Sequence, residues 1–292
     1  MMKRILNFGS LNLDYVYAVE HFVAPGETIS SSRMDLNCGG KGLNQSIALA
    51  KAGAKVCHAG KIGFDGGRLK TLLESYGVDT SYLKESEGPN GHAIIQVDKA
   101  GQNCILLFPG SNRQIEKAEI DACLDNFGKG DYLLLQNEIN LIPYIMEKAA
   151  EKGIEIVFNP SPVTEDIFSF PLDKVSLFIL NEIEGKALSG EDEAEKILCT
   201  LHEKYSAAKI LLTLGEEGSI YFDGEKKIFQ NIYKVKAVDT TAAGDTTTGY
   251  FLAGLAAGDD PATVLDRAAR ASSITVTRHG AAESIPTKEE VL

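Results

Sequence analysis

The sequence predicts an α/β fold: a mostly parallel sheet with helices on both faces, plus a small β-sheet set apart from it. Three observations carry this expectation. Short apolar runs at residues 131–136, 154–159, 177–180 and 210–214 alternate with helical patterns at 116–127, 140–152 and 191–206, as parallel strands joined by crossover helices do. Two stretches, approximately 15–36 and 91–108, break that alternation and read as β only. Finally, 44% of the 292 residues are hydrophobic, enough to fill the core of one large domain covering residues 1–292.

Taken in order, residues 4–10 form a β-prone run that stops at Gly9-Ser10, as a buried first strand does. Tyr15-Val16-Tyr17-Ala18-Val19 is β-rich, Pro25-Gly26-Glu27-Thr28 is a turn, and 28–36 reads as extended. Residues 41–52 carry small and apolar residues at helical spacing, with Gly53 as the stop. Residues 92–97 and 103–108 flank Lys99-Ala100-Gly101-Gln102, which has hairpin-turn composition. The two β-only stretches are therefore expected to pair. A further helix is predicted to begin near residue 244, and any helix after Pro286 is short.

The bulk numbers exclude several classes. A formal net charge of -12 opposes nonspecific binding to nucleic acid or to an anionic membrane. The N-terminal apolar run is too short for a signal peptide, and no stretch approaches the ~18 apolar residues of a membrane span. The five cysteines are dispersed without a C-x-x-C pair, which suits free thiols in a reducing, cytoplasmic setting. The histidines show no metal-ligand spacing.

The chemistry concentrates in two glycine-bearing helix entrances. In Asp239-Thr240-Thr241-Ala242-Ala243-Gly244-Asp245, three nearly side-chain-free residues precede an apolar helix. An anion can approach their N–H groups closely there, with the helix dipole behind them. Asp245 at that mouth suits a base for a hydroxyl nucleophile in phosphoryl transfer; an ordinary N-cap role is the competing reading. Gly39-Gly40-Lys41-Gly42-Leu43-Asn44-Gln45 opens the helix at 41–52. It lacks the G-K-[ST] of a Walker loop and the third glycine of a dinucleotide fingerprint. It presents Lys41 and Asn44 to a polar ligand, or is simply a turn with a solvated lysine. Asn12 and Asp14, Glu138, Asn181 and Glu184, and Gly215 and Gly218 all follow strands, where open α/β sheets collect ligands.

These segments resemble the ribokinase-like carbohydrate kinases. The match runs from Gly9-Ser10-Leu11-Asn12-Leu13-Asp14 through the G-G-K-G-x-N and D-T-x-A-A-G-D signatures to Thr277-Arg278-His279-Gly280-Ala281. The resemblance implies Asp245 as the base and Ala242, Ala243 and Gly244 as the anion hole for the γ-phosphate of ATP. It implies Asn12, Asp14, Gly40, Lys41, Asn44 and Glu138 as holders of sugar hydroxyls. Asn181 and Glu184 would stand near the phosphates and Mg²⁺, with Thr213, Gly215 and Gly218 on the nucleotide. Ala269 falls where some relatives carry a polar side chain near adenine. Asp239, Thr241, Thr275, Arg278, Gly280 and Ser284 would surround a monovalent cation, usually K⁺. The β-only stretches would form a lid that also makes a homodimer contact.

Asn12 and Asp14 together with Lys41, Asn44 and Glu138 favour D-ribose, phosphorylated at O5. Deoxyribose, a nucleoside, fructose or a sugar acid are alternatives, and Tyr15 and Tyr17 are candidate platforms for a nucleobase. A noncatalytic sugar or nucleotide sensor on the same fold is a rival, disfavoured by Asp245. An NAD-dependent oxidoreductase is disfavoured by the missing fingerprint.

Overall fold

Residues 3–292 are described by a computed structural model, in which the short apolar runs are the buried strands. The first part of the chain contains β1 (Ile5–Phe8), β2 (Asn12–Ala18), β3 (Arg33–Gly39), α1 (Lys41–Lys51), β4 (Val56–Ile62), α2 (Gly67–Ser75) and β5 (Asp79–Glu85). Next come β6 (Gly91–Val97), β7 (Asn103–Phe108), α3 (Lys117–Leu124), β8 (Tyr132–Gln136), α4 (Ile142–Glu151) and β9 (Glu155–Asn159). They are followed by β10 (Val175–Asn181), α5 (Glu182–Ser189), α6 (Ala194–Lys204), β11 (Lys209–Thr213), β12 (Ser219–Phe222) and β13 (Lys227–Gln230). Three helices close the described chain: α7 (Ala243–Ala257), α8 (Pro261–Thr275) and α9 (Lys288–Val291).

The main sheet has nine strands in the order β13-β12-β11-β10-β9-β8-β1-β4-β5. From β5 to β11 all neighbours are parallel, and β12 and β13 extend one edge antiparallel. Side chains alternate across it. Tyr132 and Leu134 of β8 enter the core beneath α1, α2, α7 and α8, whereas Leu133 and Leu135 enter the core beneath α3 to α6. Both faces are therefore covered, as expected for parallel strands. Because the strands share one direction, their C-terminal ends share one edge, and that edge is where the polar residues gather.

The two β-only stretches do form a second sheet, in the order β3-β2-β6-β7. Its central pair, β2 and β6, is parallel, and the flanking pairs are antiparallel. Two details differ from the sequence reading. The first β-only stretch begins earlier than residue 15, because Asn12 and Asp14 already belong to β2, and the second extended stretch pairs only from Arg33, leaving residues 19–32 without a strand. The predicted helix at 191–206 is α6, but a separate helix, α5, precedes it. α5 starts directly off β10, so no loop composition announces it, and Gly190 at φ 82° divides the two. The β4-α2-β5 unit, the β12-β13 hairpin and α8 were not assigned from sequence.

Among these contacts, the crossing of α1 and α7 governs the site. Gly249 has no side chain, and a Cβ there would overlap Ala48 Cβ and lie 2.8 Å from the Leu49 nitrogen. The two helix axes can thus approach until backbone meets backbone, bringing both N-termini to the same sheet edge. Gly249→Ala sets two effects against each other. Helix propensity favours alanine by about 1 kcal/mol, whereas overpacking costs about 1–3 kcal/mol. Since the added carbon meets main chain as well as a side chain, the second effect is expected to win. The variant should unfold at lower denaturant concentration; an unchanged or higher midpoint would show that the crossing can relax.

Candidate active site

α7 begins at Ala242, which caps the helix in the left-handed conformation (φ 61°, ψ 8°) without any side-chain capping bond. Asp245 is therefore not the N-cap, and the competing reading of this residue is set aside. Its carboxylate is 9% exposed and turns towards α1, where Oδ2 accepts from Asn44 Nδ2 at 3.0 Å and Oδ1 from Gln45 Nε2 at 2.9 Å. At the helix mouth, Ala243 N donates to Thr240 O at 3.3 Å and Thr246 N to Ala242 O at 2.8 Å. The N–H groups of Gly244 and Asp245 meet no acceptor among the described residues, as first-turn donors commonly do not. A Cβ on Gly244 would meet nothing within 4 Å. This helix entrance is open to a ligand.

α1 begins at the same place. Gly40, at φ 95°, is its N-cap. Glu138, just beyond β8, accepts from Lys41 N at 3.1 Å and from the Ser10 hydroxyl, fastening that entrance to the sheet edge. A Cβ on Gly39 would displace the carboxylate of Asp14, whereas Gly42 is required because a Cβ would overlap the backbone of Gly9 and Ser10. Asn12 is buried, with Oδ1 accepting from Asn112 Nδ2 at 2.7 Å. Burial and the neighbouring Glu138 push the Asp14 carboxyl up to about 6. Burial likewise raises Glu138, against the pull of Lys41 and Ser10. For Lys41 burial disfavours the ammonium, but Asp245, Glu138 and Glu184 together outweigh it and hold the pKa above its ordinary value.

Beside these residues lies a cavity of about 230 Å³, bounded by Lys41, Asp245, the Ala242–Gly244 backbone, Asn181, Glu184 and Thr213. Asn181 and Glu184 form a reciprocal cap on α5: Asn181 Oδ1 accepts from Glu184 N, and Glu184 Oε2 from Asn181 N, both at 2.9 Å. Their positions are thus set by helix capping, while Glu184 still borders the cavity. Gly215 (φ 53°) and Gly218 (φ 109°) shape the turn after β11, and a Cβ on Gly218 would overlap the carbonyl of Gln230. Ala269 lies on α8 and does not border this cavity.

The residues named for a cation gather behind the start of α7. Asp239 accepts from Thr241 N at 2.9 Å and from Gly280 N at 3.1 Å. Burial works against its charge, but these bonds prevail and hold its pKa below the usual carboxylate value. Thr275 Oγ1 is committed to Ala271 O and Thr246 Oγ1, Ser284 Oγ to Ala281 O, and Arg278 to Glu290. With those side chains engaged, this loop pair suits a cation chiefly through backbone carbonyls. No group of three or more His, Cys, Asp or Glu side chains suited to a metal occurs among the described residues. A Mg²⁺ ion would thus draw most of its ligands from phosphate and water, as that ion ordinarily does, with Glu184 as the protein carboxylate on hand.

Several residues escaped the sequence reading. Asn159 ends β9 on the same edge and borders the cavity, as do Ser161, Thr240 and Thr248. Gln45, read only as a missing glycine, touches Asp245 directly. The available signal for Asn159 was the one used elsewhere, a polar residue closing an apolar strand.

Comparison with known proteins agrees with this geometry. Residues 2–288 match the pfkB family carbohydrate kinase model. A ribokinase of Haemophilus influenzae is 32% identical, the alignment covering 100% of this chain and 98% of the relative. A deoxyribokinase of Salmonella typhi is 29% identical, with 97% and 95% covered. The structure of Arabidopsis thaliana ribokinase complexed with ribose and ATP superposes with a TM-score of 0.87 at 28% identity, covering 100% of this chain and 98% of that one. The chain belongs to the pfkB family of carbohydrate kinases.

Proposed function

We propose that this carbohydrate kinase transfers the γ-phosphate of ATP to O5 of D-ribose, giving D-ribose 5-phosphate and ADP. The observation that carries the reading is the buried carboxylate of Asp245, at a helix mouth where the unbonded N–H groups of Gly244 and Asp245 stand beside the same cavity. Asn12, Asp14, Gly40, Lys41, Asn44 and Glu138 hold the sugar hydroxyls and Asp245 takes the proton of the primary hydroxyl. The resulting oxygen attacks the γ-phosphorus, and the bond to the β-γ bridging oxygen breaks as ADP leaves. Ala242 and Gly244, with Ala243 once its N–H leaves Thr240 O, donate to the phosphoryl oxygens where charge accumulates. Asn181, Thr213, Gly215 and Gly218 border the nucleotide. Ala269 offers adenine at most an apolar contact.

The pocket holds more carboxylates than ammonium groups, so a polyphosphate needs added positive charge. Glu184 is the residue that would hold a Mg²⁺, which would supply that charge beside the phosphates. Asp239, Thr241, Thr275, Arg278, Gly280 and Ser284 would hold a K⁺, which would add positive charge near the start of α7. No helix among the described residues is long and apolar enough to cross a membrane, and a cytoplasmic location fits that and the free cysteines. The β2-β3-β6-β7 sheet acts as a lid over the sugar. Its edge strand β7 leaves Ile105, Leu106, Leu107 and Phe108 exposed by 45–67%, and uncovered apolar edges favour pairing with another chain. A second copy of this chain covers that surface, forming a homodimer.

Asp245→Asn is expected to abolish turnover, at least about 1,000-fold, while sugar binding measured by calorimetry persists; retained turnover refutes the base assignment. Coupled ADP detection on ribose, deoxyribose, fructose and adenosine should rank ribose first, and turnover no better on ribose than on adenosine or fructose sinks the substrate choice. Leu106→Glu should convert a dimer to a monomer in sedimentation velocity, and a dimer that persists contradicts the interface. The Asp14 carboxyl, raised to about 6 from 3.8, opposes folding when ionised, so the penalty is full above about pH 6 and absent below about pH 4. Asp14→Asn should therefore melt higher than the parent at pH 8 and lose that advantage as pH falls through 6. It should also raise KM for the sugar; a lower melting point at pH 8 would overturn the account.

A further inference from the structure

Beneath Asp245 runs a column of uncharged polar side chains that the phosphotransfer scheme does not use. Gln45 is 0% exposed, Gln136 1%, Asn7 0% and Asn159 9%: Asn7 lies within β1, Gln136 and Asn159 close β8 and β9, and Gln45 stands near the start of α1. Gln45 Nε2 donates both to Asp245 Oδ1 at 2.9 Å and to Asn159 Oδ1 at 3.1 Å. Its Oε1 accepts from Gln136 Nε2 at 2.7 Å, and Gln136 Nε2 also donates to Asn7 Oδ1 at 2.9 Å. Asn7 Nδ2 then donates to Ser46 Oγ and Gly42 O, both at 2.8 Å, and Ser46 meets His58 Nδ1 at 2.8 Å.

Every orientation in this column follows from one end. An ionised carboxylate only accepts, so Gln45 must present its NH₂ to Asp245. Its carbonyl then faces Gln136, which must present NH₂, and the constraint passes on to Asn7. Asn159 agrees independently, because its NH₂ is taken by Ile179 O at 2.9 Å and only its oxygen faces Gln45. Ser46 receives from Asn7 and so gives its proton to His58, whose ring burial keeps neutral by lowering its pKa to about 4. The column is not fully satisfied: Gln136 Oε1 is buried without a partner, while the His58 ring also leans on the backbone of Gly9. Buried unpaired atoms cost stability that apolar side chains of the same shape would not. A column retained at that cost points to a task.

We propose that Gln45 is a positioning residue for Asp245, and that Gln136 and Asn159 hold its amide so that only N–H groups face the carboxylate. This rests on Asp245 being the base. Asn44 and Gln45, adjacent on α1, take one carboxylate oxygen each. They fix the carboxylate plane relative to the cavity, each by donating to one of its oxygens.

The test is a pair of variants. Gln45→Met keeps the length and removes the donor. It should lower kcat roughly 10- to 100-fold with KM for sugar and ATP within about threefold, and move the acidic limb of kcat to higher pH. Gln136→Met, which touches neither Asp245 nor the cavity, frees the Gln45 amide to turn. It should lower kcat less and move the acidic limb the same way. The charged groups facing Asp245 are Lys41, Glu138 and, across the cavity, Glu184; they are unaltered in both variants. Parental kcat and an unmoved acidic limb in Gln45→Met, with Asp245→Asn inactive, overturn the positioning role alone. Turnover surviving in Asp245→Asn removes the base on which it rests. If Gln45→Met does not fold, Gln136→Met decides: an unmoved acidic limb there overturns the proposal.

Discussion

The arrangement of this enzyme depends on how closely α1 and α7 can cross. Gly249 lies against Ala48 with no room for another carbon, and helices packed at that separation bring their first turns together. One first turn carries Lys41, Asn44 and Gln45; the other carries free N–H groups and Asp245. Were the helices held apart by an ordinary side chain, the bonds from Asn44 and Gln45 to Asp245 would not span the gap, since they already lie at 2.9–3.0 Å. Catalytic geometry is here a consequence of helix packing.

The second constraint is electrostatic. Glu138, Glu184 and Asp245 act on one ammonium, that of Lys41, and Asp14 stands next to Glu138 in the same partly buried space. Burial first, and then neighbouring carboxylates, raise the pKa values of Asp14 and Glu138, while the three carboxylates keep Lys41 charged. Such a cluster is poorly balanced without ligands, and hydroxyl groups of a sugar are well suited to it because they donate to carboxylates without adding charge. A polyphosphate, by contrast, adds negative charge to the cluster and would need a counter-ion beside it.

Much of this was legible in the sequence, for identifiable reasons. Strands such as β8 and β9 are continuous apolar runs, and the two glycine-bearing entrances interrupt the chain visibly, so the parallel sheet and both helix mouths could be placed. What stayed hidden depends on long-range contact. α5 grows straight out of β10 with Asn181 and Glu184 capping each other, leaving no break to read. The capping role of Asp245 was excluded only once Ala242 was found in the left-handed conformation ahead of it. Gln45 and Gln136 are unremarkable letters until folding sets them in one column. Whether Asp14 belongs to a loop or a strand depends on its pairing with Asn37 of β3.

The small sheet is joined to the body by very little chain. Residues 9–11 connect β1 to β2, Gly40 alone separates β3 from α1, residues 86–90 connect β5 to β6, and residues 109–116 connect β7 to α3. With so little slack, any tilt of that sheet must pivot about those crossings. Asn12, Asp14 and Gly40 sit on or beside that axis, whereas the tip around residues 98–102 lies at the end of the lever. The residues proposed to hold the sugar would therefore travel least in any such tilt, and the mouth above them most.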